Sequence, residues 1–246
     1  MGYSLTGKTN SPATDEATGL EVDKYDAAAV ARYLNTYLGM YEDVVGDKLM
    51  GKRGLNALLT DSTEAGPSNW TPQLPEQFQR LRGYDPTPWL PALTGDIVGS
   101  RAQSNAFLFD FRHTLGQLNA TEHYGTVARV AHERELIVYG ESLEGNRLVA
   151  TLGDDLEMRR FADIPMAAMW SYGKGHSPAP QYIADMRGAA SVGHLYGKPI
   201  IAAESLTSIL SPWAHAPADL QPMIDAEFLN GINRPVIHTS AHQPVD

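Results

Sequence analysis

Short apolar runs alternate with longer segments of helical periodicity along this chain. The short runs are bounded by polar or glycine-containing turns, which is typical of buried β-strands. Six candidate strands follow from this pattern: Gly2–Thr6, Leu55–Thr60, Leu136–Gly140, Ile164–Trp170, Pro199–Ala203 and Pro235–Ser240. The apolar spacing between them predicts helices at Asp26–Leu49, Glu76–Arg82, Arg101–Arg134 (with a break), Gln181–Tyr196 and Ala218–Asn230. Strands that alternate with helices in this way predict an α/β fold with a parallel sheet.

The number of strands bears on how the sheet closes. A (β/α)₈ barrel of the TIM type needs eight strands, and the pattern supplies six. We therefore expect an incomplete barrel, in which residues 1–246 form a single partial domain holding about the last six β/α units. A six-stranded open sheet is the competing interpretation. Glycine after Tyr196 and after Asn230 fits helix ends that feed short loops into the next strand.

Composition narrows the class of partner. Apolar residues make up 43% and charged residues 20% of the 246, enough to bury a sizeable core. The net charge of −10 argues against a nucleic-acid partner, which clustered basic residues would bind. No apolar run approaches the ~20 residues that span a bilayer, and no signal peptide is visible, so we expect no membrane partner. The absence of cysteine excludes a thiolate nucleophile. It does not determine the cellular compartment, and a periplasmic or extracellular location of the full-length protein is compatible with it.

Acidic residues follow three of the candidate strands. Glu64 comes shortly after the second candidate strand, with Asp61 just before it, while Glu141 and Glu204 directly follow two others. The carboxyl ends of barrel strands build the active site in enzymes of this fold. Hydrolysis of a glycosidic bond needs one carboxyl group to protonate the leaving oxygen and another to activate water or attack the sugar. Any one of these acidic residues could instead cap a helix, but a glutamate after each of three strands in one chain favours an active site.

Aromatic and histidine residues accompany these acidic positions. Trp70 follows Glu64 in a polar loop, and Trp170 ends a strand, where indole rings can stack on the apolar face of a sugar. Core packing is the alternative for each. His238 and His242 lie at the end of the last strand with a spacing of four, which suits a metal pair only on a helix. Because this segment is predicted to be extended, we expect sugar contacts or core histidines there.

Several motifs resemble one family of glycosidases over the whole length. They are Asp-Ser-Thr-Glu-Ala-Gly at 61–66, Asn-Trp-Thr-Pro at 69–72, Arg-Gly-Tyr-Asp at 82–85, Leu-Pro-Ala-Leu-Thr-Gly at 90–95, Asp-Ile-Pro-Met at 163–166, Ala-Ala-Glu-Ser at 202–205 and Asn-Arg at 233–234, before His238 and His242. In this order they are similar to the catalytic domains of the α-L-rhamnosidases of glycoside hydrolase family 106. The Asp-Ser-Thr-Glu-Ala-Gly and Ala-Glu-Ser motifs are fairly specific for this family when both are present, and either one alone is weak evidence.

The resemblance implies an enzyme that removes terminal α-L-rhamnose, or a related deoxy sugar, from oligosaccharides or glycosides with inversion. It implies Glu64 as general acid, Glu204 as general base and Asp61 as a supporting carboxylate. It also implies a calcium ion near the sugar and flanking β-rich domains, which lie outside this chain. Glu141, Trp70, Trp170, His238 and His242 are the candidate substrate-binding residues. The chain departs from some relatives at Ala168, where they carry a glutamate.

Two other functions remain open at this point. A degenerate or sugar-binding barrel would use the same carboxylates to hydrogen-bond hydroxyl groups without catalysis. A sugar isomerase of the carboxylate and metal type would need a tight cluster of acidic and histidine ligands around one cation.

Overall fold

The centre of the fold is a parallel sheet. The computed structural model describes residues 7–10, 15, 18–63, 68–142, 153–173, 175–208 and 215–238. Within these ranges, five strands lie side by side in the order of the sequence, and every neighbouring pair is parallel. They are β1 (Ala57–Thr60), β2 (Ile137–Gly140), β3 (Ile164–Trp170), β4 (Ala202–Thr207) and β5 (Arg234–Ile237). The predicted parallel α/β sheet is confirmed, and Gly2–Thr6 lies outside the described residues.

Helices connect the strands as the pattern predicted. They are α1 (Ala27–Val45), α2 (Leu74–Arg82), α3 (Arg101–Leu118), α4 (Gly125–His132), α5 (Asp155–Arg159), α6 (Pro180–Tyr196) and α7 (Pro217–Leu229). A 3₁₀ segment at Thr87–Thr94 and the short α5 were not predicted. The expected break between residues 101 and 134 is a π turn at Asn119–Tyr124, which joins α3 to α4 without interrupting the helical path. No helix in the described ranges is long and apolar enough to cross a membrane.

Local sequence explains where the helices begin and end. Asp26 caps α1, because its side chain accepts hydrogen bonds from the amides of Ala28 (2.9 Å) and Ala29 (3.2 Å). Gly197 ends α6 in the left-handed conformation at φ 65°, which side chains other than glycine rarely adopt. The predicted bounds of these helices therefore hold to within a few residues.

Strand β4 lies further along the chain than predicted. The apolar run suggested Pro199–Ala203, whereas the strand runs from Ala202 to Thr207. Its second half contains Glu204, Ser205 and Thr207, whose polar side chains hide it from a search for apolar residues. Glu204 therefore lies inside the strand and not after it.

The two faces of the sheet pack differently. The outer face contributes Ala167, Met169, Ile201 and Ala203 to a buried cluster with α6 and α7. The inner face forms a smaller cluster below the acidic residues, made of Ile164, Met166 and Ala202 with Tyr139, Ile200 and Val236 around them. Helices thus cover the outer face, as in a barrel.

The sheet is open at both edges within the described residues. β1 and β5 each pair on one side only, and they do not pair with each other. Apolar side chains remain exposed on both edge strands, with Leu59 at 47% and Ile237 at 70%. This is the gap expected of a partial barrel, since a closed barrel has no free edge.

Candidate functional site

Three carboxylates meet at the carboxyl edge of the sheet. Asp61 follows β1, Glu141 follows β2, and Glu204 lies in β4. One oxygen atom from each residue lies within 4.8 Å of the others. The prediction that Glu141 and Glu204 share one end of the sheet is confirmed. Glu64, the third strand-end glutamate, lies outside the described residues.

The strands fix the positions of the two glutamates. The Glu141 amide donates to the Thr60 carbonyl oxygen (3.1 Å), so the pairing of β1 with β2 continues to this residue. Glu204 lies between Ala168 on β3 and Val236 on β5 in the strand register. Because these backbone groups are paired, both carboxylates project from a rigid frame.

A β-bulge follows Glu204 directly. Met169 pairs with Ser205, but Trp170 pairs with Thr207, so Leu206 is an extra residue in β4. Leu206 has φ 66°, in the left-handed region that costs a branched side chain about 1–3 kcal/mol. The bulge lets the Thr207 hydroxyl donate a hydrogen bond to Oε1 of Glu204. Bulges of this kind often re-aim side chains beside active sites, and no sequence pattern indicated this one.

Burial and like charge act together on Glu141. Its side chain is almost fully buried, and burial raises its pKa well above the usual range of glutamate. The nearby charges of Asp61, Glu204 and Asp185 raise it further, while Arg159 opposes them. Glu141 therefore holds a proton more tightly than an exposed glutamate, unless a cation compensates the negative charge of the cluster.

The cluster has the chemistry of a site for a hard cation. Calcium prefers oxygen ligands at about 2.3–2.6 Å, so two oxygens on one ion lie at most about 5 Å apart. The 4.8 Å limit among Asp61, Glu141 and Glu204 satisfies that condition. The same three groups can also accept hydrogen bonds from sugar hydroxyls. The arrangement thus fits cation binding, hydroxyl binding and acid–base chemistry.

The other residues predicted to bind substrate have different surroundings in the structure. Trp170 is half-buried at the end of β3 and stacks on Tyr182, with ring centroids 6.4 Å apart. His238 is exposed, and its backbone amide donates to the Ser205 carbonyl oxygen (3.0 Å), next to Glu204. Trp70 packs against a buried aromatic cluster around Phe78. Their contact with substrate stays a prediction, and His242 lies outside the described residues.

A cavity of about 550 Å³ adjoins the cluster at Asp61. Its lining includes Lys24, which pairs with Glu21 at 2.8 Å, and His123 from the π turn. Burial lowers the pKa of His123 to about 3, helped by the charge of Lys24, so the ring stays neutral. Sequence reasoning missed both Lys24 and His123, because neither belongs to a motif or follows a strand.

Comparisons with known proteins agree with this geometry. The family model for the α-L-rhamnosidases of glycoside hydrolase family 106 matches residues 1–246. The solved structure of a rhamnosidase from Novosphingobium sp. PP1Y is 62% identical, with a TM-score of 0.92 over 98% of this chain. A curated protein of Formosa agariphila, named "Putative beta-glucuronidase", is 35% identical over all 246 residues.

The match covers only part of each relative. This chain spans 23% of the length of the Novosphingobium protein and 20% of the Formosa protein. Within that part, the family model extends from the first residue to the last. The chain belongs to the α-L-rhamnosidase family, glycoside hydrolase family 106.

Proposed function

We propose that the protein carrying this chain hydrolyses terminal α-L-rhamnosyl bonds, or those of a related deoxy sugar, in oligosaccharides or glycosides. The observation that carries the proposal is the convergence of Asp61, Glu141 and Glu204 at the carboxyl edge of a parallel sheet. Family membership supports the substrate class. The chain would supply about the last six β/α units of a (β/α)₈ barrel, and the family's other domains would flank it.

The carboxylates divide the work of an inverting reaction. Glu64 would protonate the leaving oxygen as general acid, and Glu204 would take a proton from the attacking water as general base. Asp61 would support the pair. An inverting enzyme needs room for that water, so the two catalytic carboxyl groups should stand roughly 6.5–9.5 Å apart. The contact from Thr207 orients the Glu204 carboxylate for this task.

The surroundings favour a neutral deoxy sugar over a uronic acid. Rhamnose carries a methyl group where a glucuronide carries a carboxylate. A further carboxylate beside this acidic cluster is repelled, whereas a methyl group can pack on an apolar surface such as the stacked Trp170–Tyr182 pair. The Formosa relative's name makes glucuronide hydrolysis the alternative to test.

Aryl glycosides test the proposed reaction. We expect the full-length protein to cleave an aryl α-L-rhamnoside and to leave an aryl β-D-glucuronide intact. Proton NMR of the first-formed sugar should show the anomer opposite to that of the substrate, because the water attacks from the far side. A product that keeps the configuration would contradict inversion, and cleavage of the glucuronide alone would contradict the substrate.

We further propose that calcium binds beside the sugar. Asp61 and Glu141 would hold the ion, which leaves Glu204 free to act on water. Calcium, when bound, would offset the negative charge of the cluster and bind sugar hydroxyls. The oxygen-only ligand set and its 4.8 Å spread support this assignment.

Glu141→Gln should weaken calcium binding and raise KM more than it lowers kcat. The substitution keeps the size of the side chain but removes the charge that the ion needs, so we expect the calcium Kd to rise by about tenfold or more. Calorimetry with calcium alone measures that change, and rate measurements after chelation measure its effect on turnover. Glu133→Gln, on an exposed ion pair with Arg129, is the control. An unchanged Kd in Glu141→Gln would remove this residue from the cation site.

A further inference from the structure

A buried tyrosine lies directly behind the carboxylate cluster. Tyr124 ends the π turn between α3 and α4, and its ring packs with Ala120 and Met158. A π turn holds one more residue than an α-helical turn, which changes the direction of the side chains that follow. Such turns occur often at functional sites, and this one carries Tyr124 towards the strand ends.

The Tyr124 hydroxyl connects two loops of the site. It lies 2.7 Å from Oγ1 of Thr63, in the loop after β1, and 2.9 Å from the carbonyl oxygen of Ser142, after β2. A carbonyl oxygen can only accept, so the tyrosine proton points to Ser142 and the Thr63 hydroxyl donates to Tyr124. Burial raises the pKa of Tyr124, so this proton stays in place at any physiological pH.

The two loops carry the acidic residues. Thr63 stands two residues after Asp61, and Ser142 directly follows Glu141. The Thr63 amide also donates to the Ser142 carbonyl oxygen (2.8 Å), so that oxygen accepts two hydrogen bonds, one from each of the other two residues. All three partners are buried, and a buried polar group that loses its partner is costly.

The chain of contacts continues behind the sheet. The Ser142 hydroxyl contacts Asp155, which pairs with the buried Arg159 at 2.7 Å. Arg159 also pairs with Asp185, whose other oxygen accepts from the Ala168 amide (2.7 Å). Ala168 is the strand partner of Glu204. One continuous network therefore runs from the loop of Asp61, past Glu141, to the strand beside Glu204.

We propose that Tyr124 is a positioning residue, whose hydroxyl ties the loop after β1 to the loop after β2 and so holds Asp61 in register with Glu141. Tyr124 is buried, so it would act through these loops and not by contact with the substrate. Its effect on turnover rests on the function proposed above. Its effect on the two loops does not depend on that function.

Variants that differ by one hydroxyl test the tie. Tyr124→Phe and Thr63→Val each remove a hydroxyl and keep the shape of the side chain. Thr63→Ser keeps the hydroxyl and removes only the methyl group. Tyr37→Phe is the matched control, since the Tyr37 hydroxyl pairs with Tyr41 (3.1 Å) on α1. Hydrogen exchange of peptides covering residues 57–63 and 137–142 is measured first, in the full-length protein. We expect about tenfold faster exchange in Tyr124→Phe and Thr63→Val, and wild-type rates in Thr63→Ser and the control.

Rate measurements then test the positioning role. On an aryl α-L-rhamnoside, kcat should fall by about tenfold or more in Tyr124→Phe and Thr63→Val, because small displacements of catalytic groups lower turnover strongly. Thr63→Ser should recover most of the loss. Faster exchange with unchanged kcat and KM would overturn the positioning role.

The remaining outcomes also decide the matter. Unchanged exchange in Tyr124→Phe would overturn the tie itself, as would a Thr63→Ser variant that behaves like Thr63→Val. A wild-type protein inactive on the rhamnoside would contradict the proposed function, while the exchange rates would still decide whether the tie exists.

Discussion

Glu64→Gln and Glu204→Gln are each expected to lower kcat by roughly 10²–10⁴-fold, the usual contribution of a positioned acid or base. Glutamine keeps the volume of each side chain and removes its ability to transfer a proton. The measurement is steady-state hydrolysis of aryl α-L-rhamnosides by the full-length protein. Glu76→Gln, exposed on α2, is the control and should behave as wild type.

The leaving group separates the two roles. A general acid matters less when the leaving aryl alcohol is already a good leaving group, so Glu64→Gln should recover on dinitrophenyl substrates. Glu204→Gln should not, because its task is the deprotonation of water. If Glu141→Gln abolished turnover while Glu204→Gln retained it, Glu204 would not be the base.

Much of this site could be predicted from the sequence, because the carboxyl ends of the strands in a parallel sheet all lie at the same edge. Glu141 and Glu204 directly follow apolar runs that predict strands, and parallel strands bring their carboxyl ends to one edge. β3 was predicted at its true bounds, since Ile164–Trp170 is apolar on both faces. For β1 the same reasoning selected Glu64, whereas Asp61 was expected only from the family resemblance, as a supporting carboxylate.

What the sequence did not reveal depends on contacts between distant residues. Tyr124 and Thr63 are 61 positions apart, and Arg159 and Asp185 are 26 apart. No local pattern encodes such pairs. The bulge at Leu206 was hidden for another reason, because it arises from the pairing of β4 with β3 and not from glycine in the sequence.

The polar half of β4 shows why a strand that carries a candidate site residue is difficult to predict. Glu204 faces the cluster, while its neighbour Ser205 is fully buried and donates a hydrogen bond to Glu227 on α7 (2.9 Å). Successive side chains of a strand point to opposite faces. One polar residue therefore serves the site, and the next holds the strand to the helix behind it. A search for apolar residues loses both.

Glu227 should make the stability of the fold depend on pH. It is fully buried, its Oε2 accepts a hydrogen bond from Ser205, and its Oε1 has no hydrogen-bond partner among the residues that the structure describes. Burial raises the pKa of Glu227 to about 7, against a lowering by the Ser205 hydrogen bond. The folded state thus binds this proton more tightly than the unfolded chain, whose glutamates titrate near pH 4.5. The stabilisation is complete below pH 4.5, decreases as the pH rises through about 7, and is lost above that.

Glu227→Gln is expected to remove this pH dependence. A pKa difference of this size corresponds to roughly 3 kcal/mol between pH 4.5 and pH 8. The amide stays neutral throughout, so the variant should gain stability over the wild type by up to that amount at pH 8, less the cost of its unpaired N–H groups. Urea unfolding followed by tryptophan fluorescence at pH 5 and pH 8 measures the difference, with the exposed Glu133→Gln as control. If the free energy of unfolding depended on pH in the same way in wild type and Glu227→Gln, the Glu227 carboxyl group would ionise in the folded state at no cost. That result would contradict the desolvation that the structure indicates.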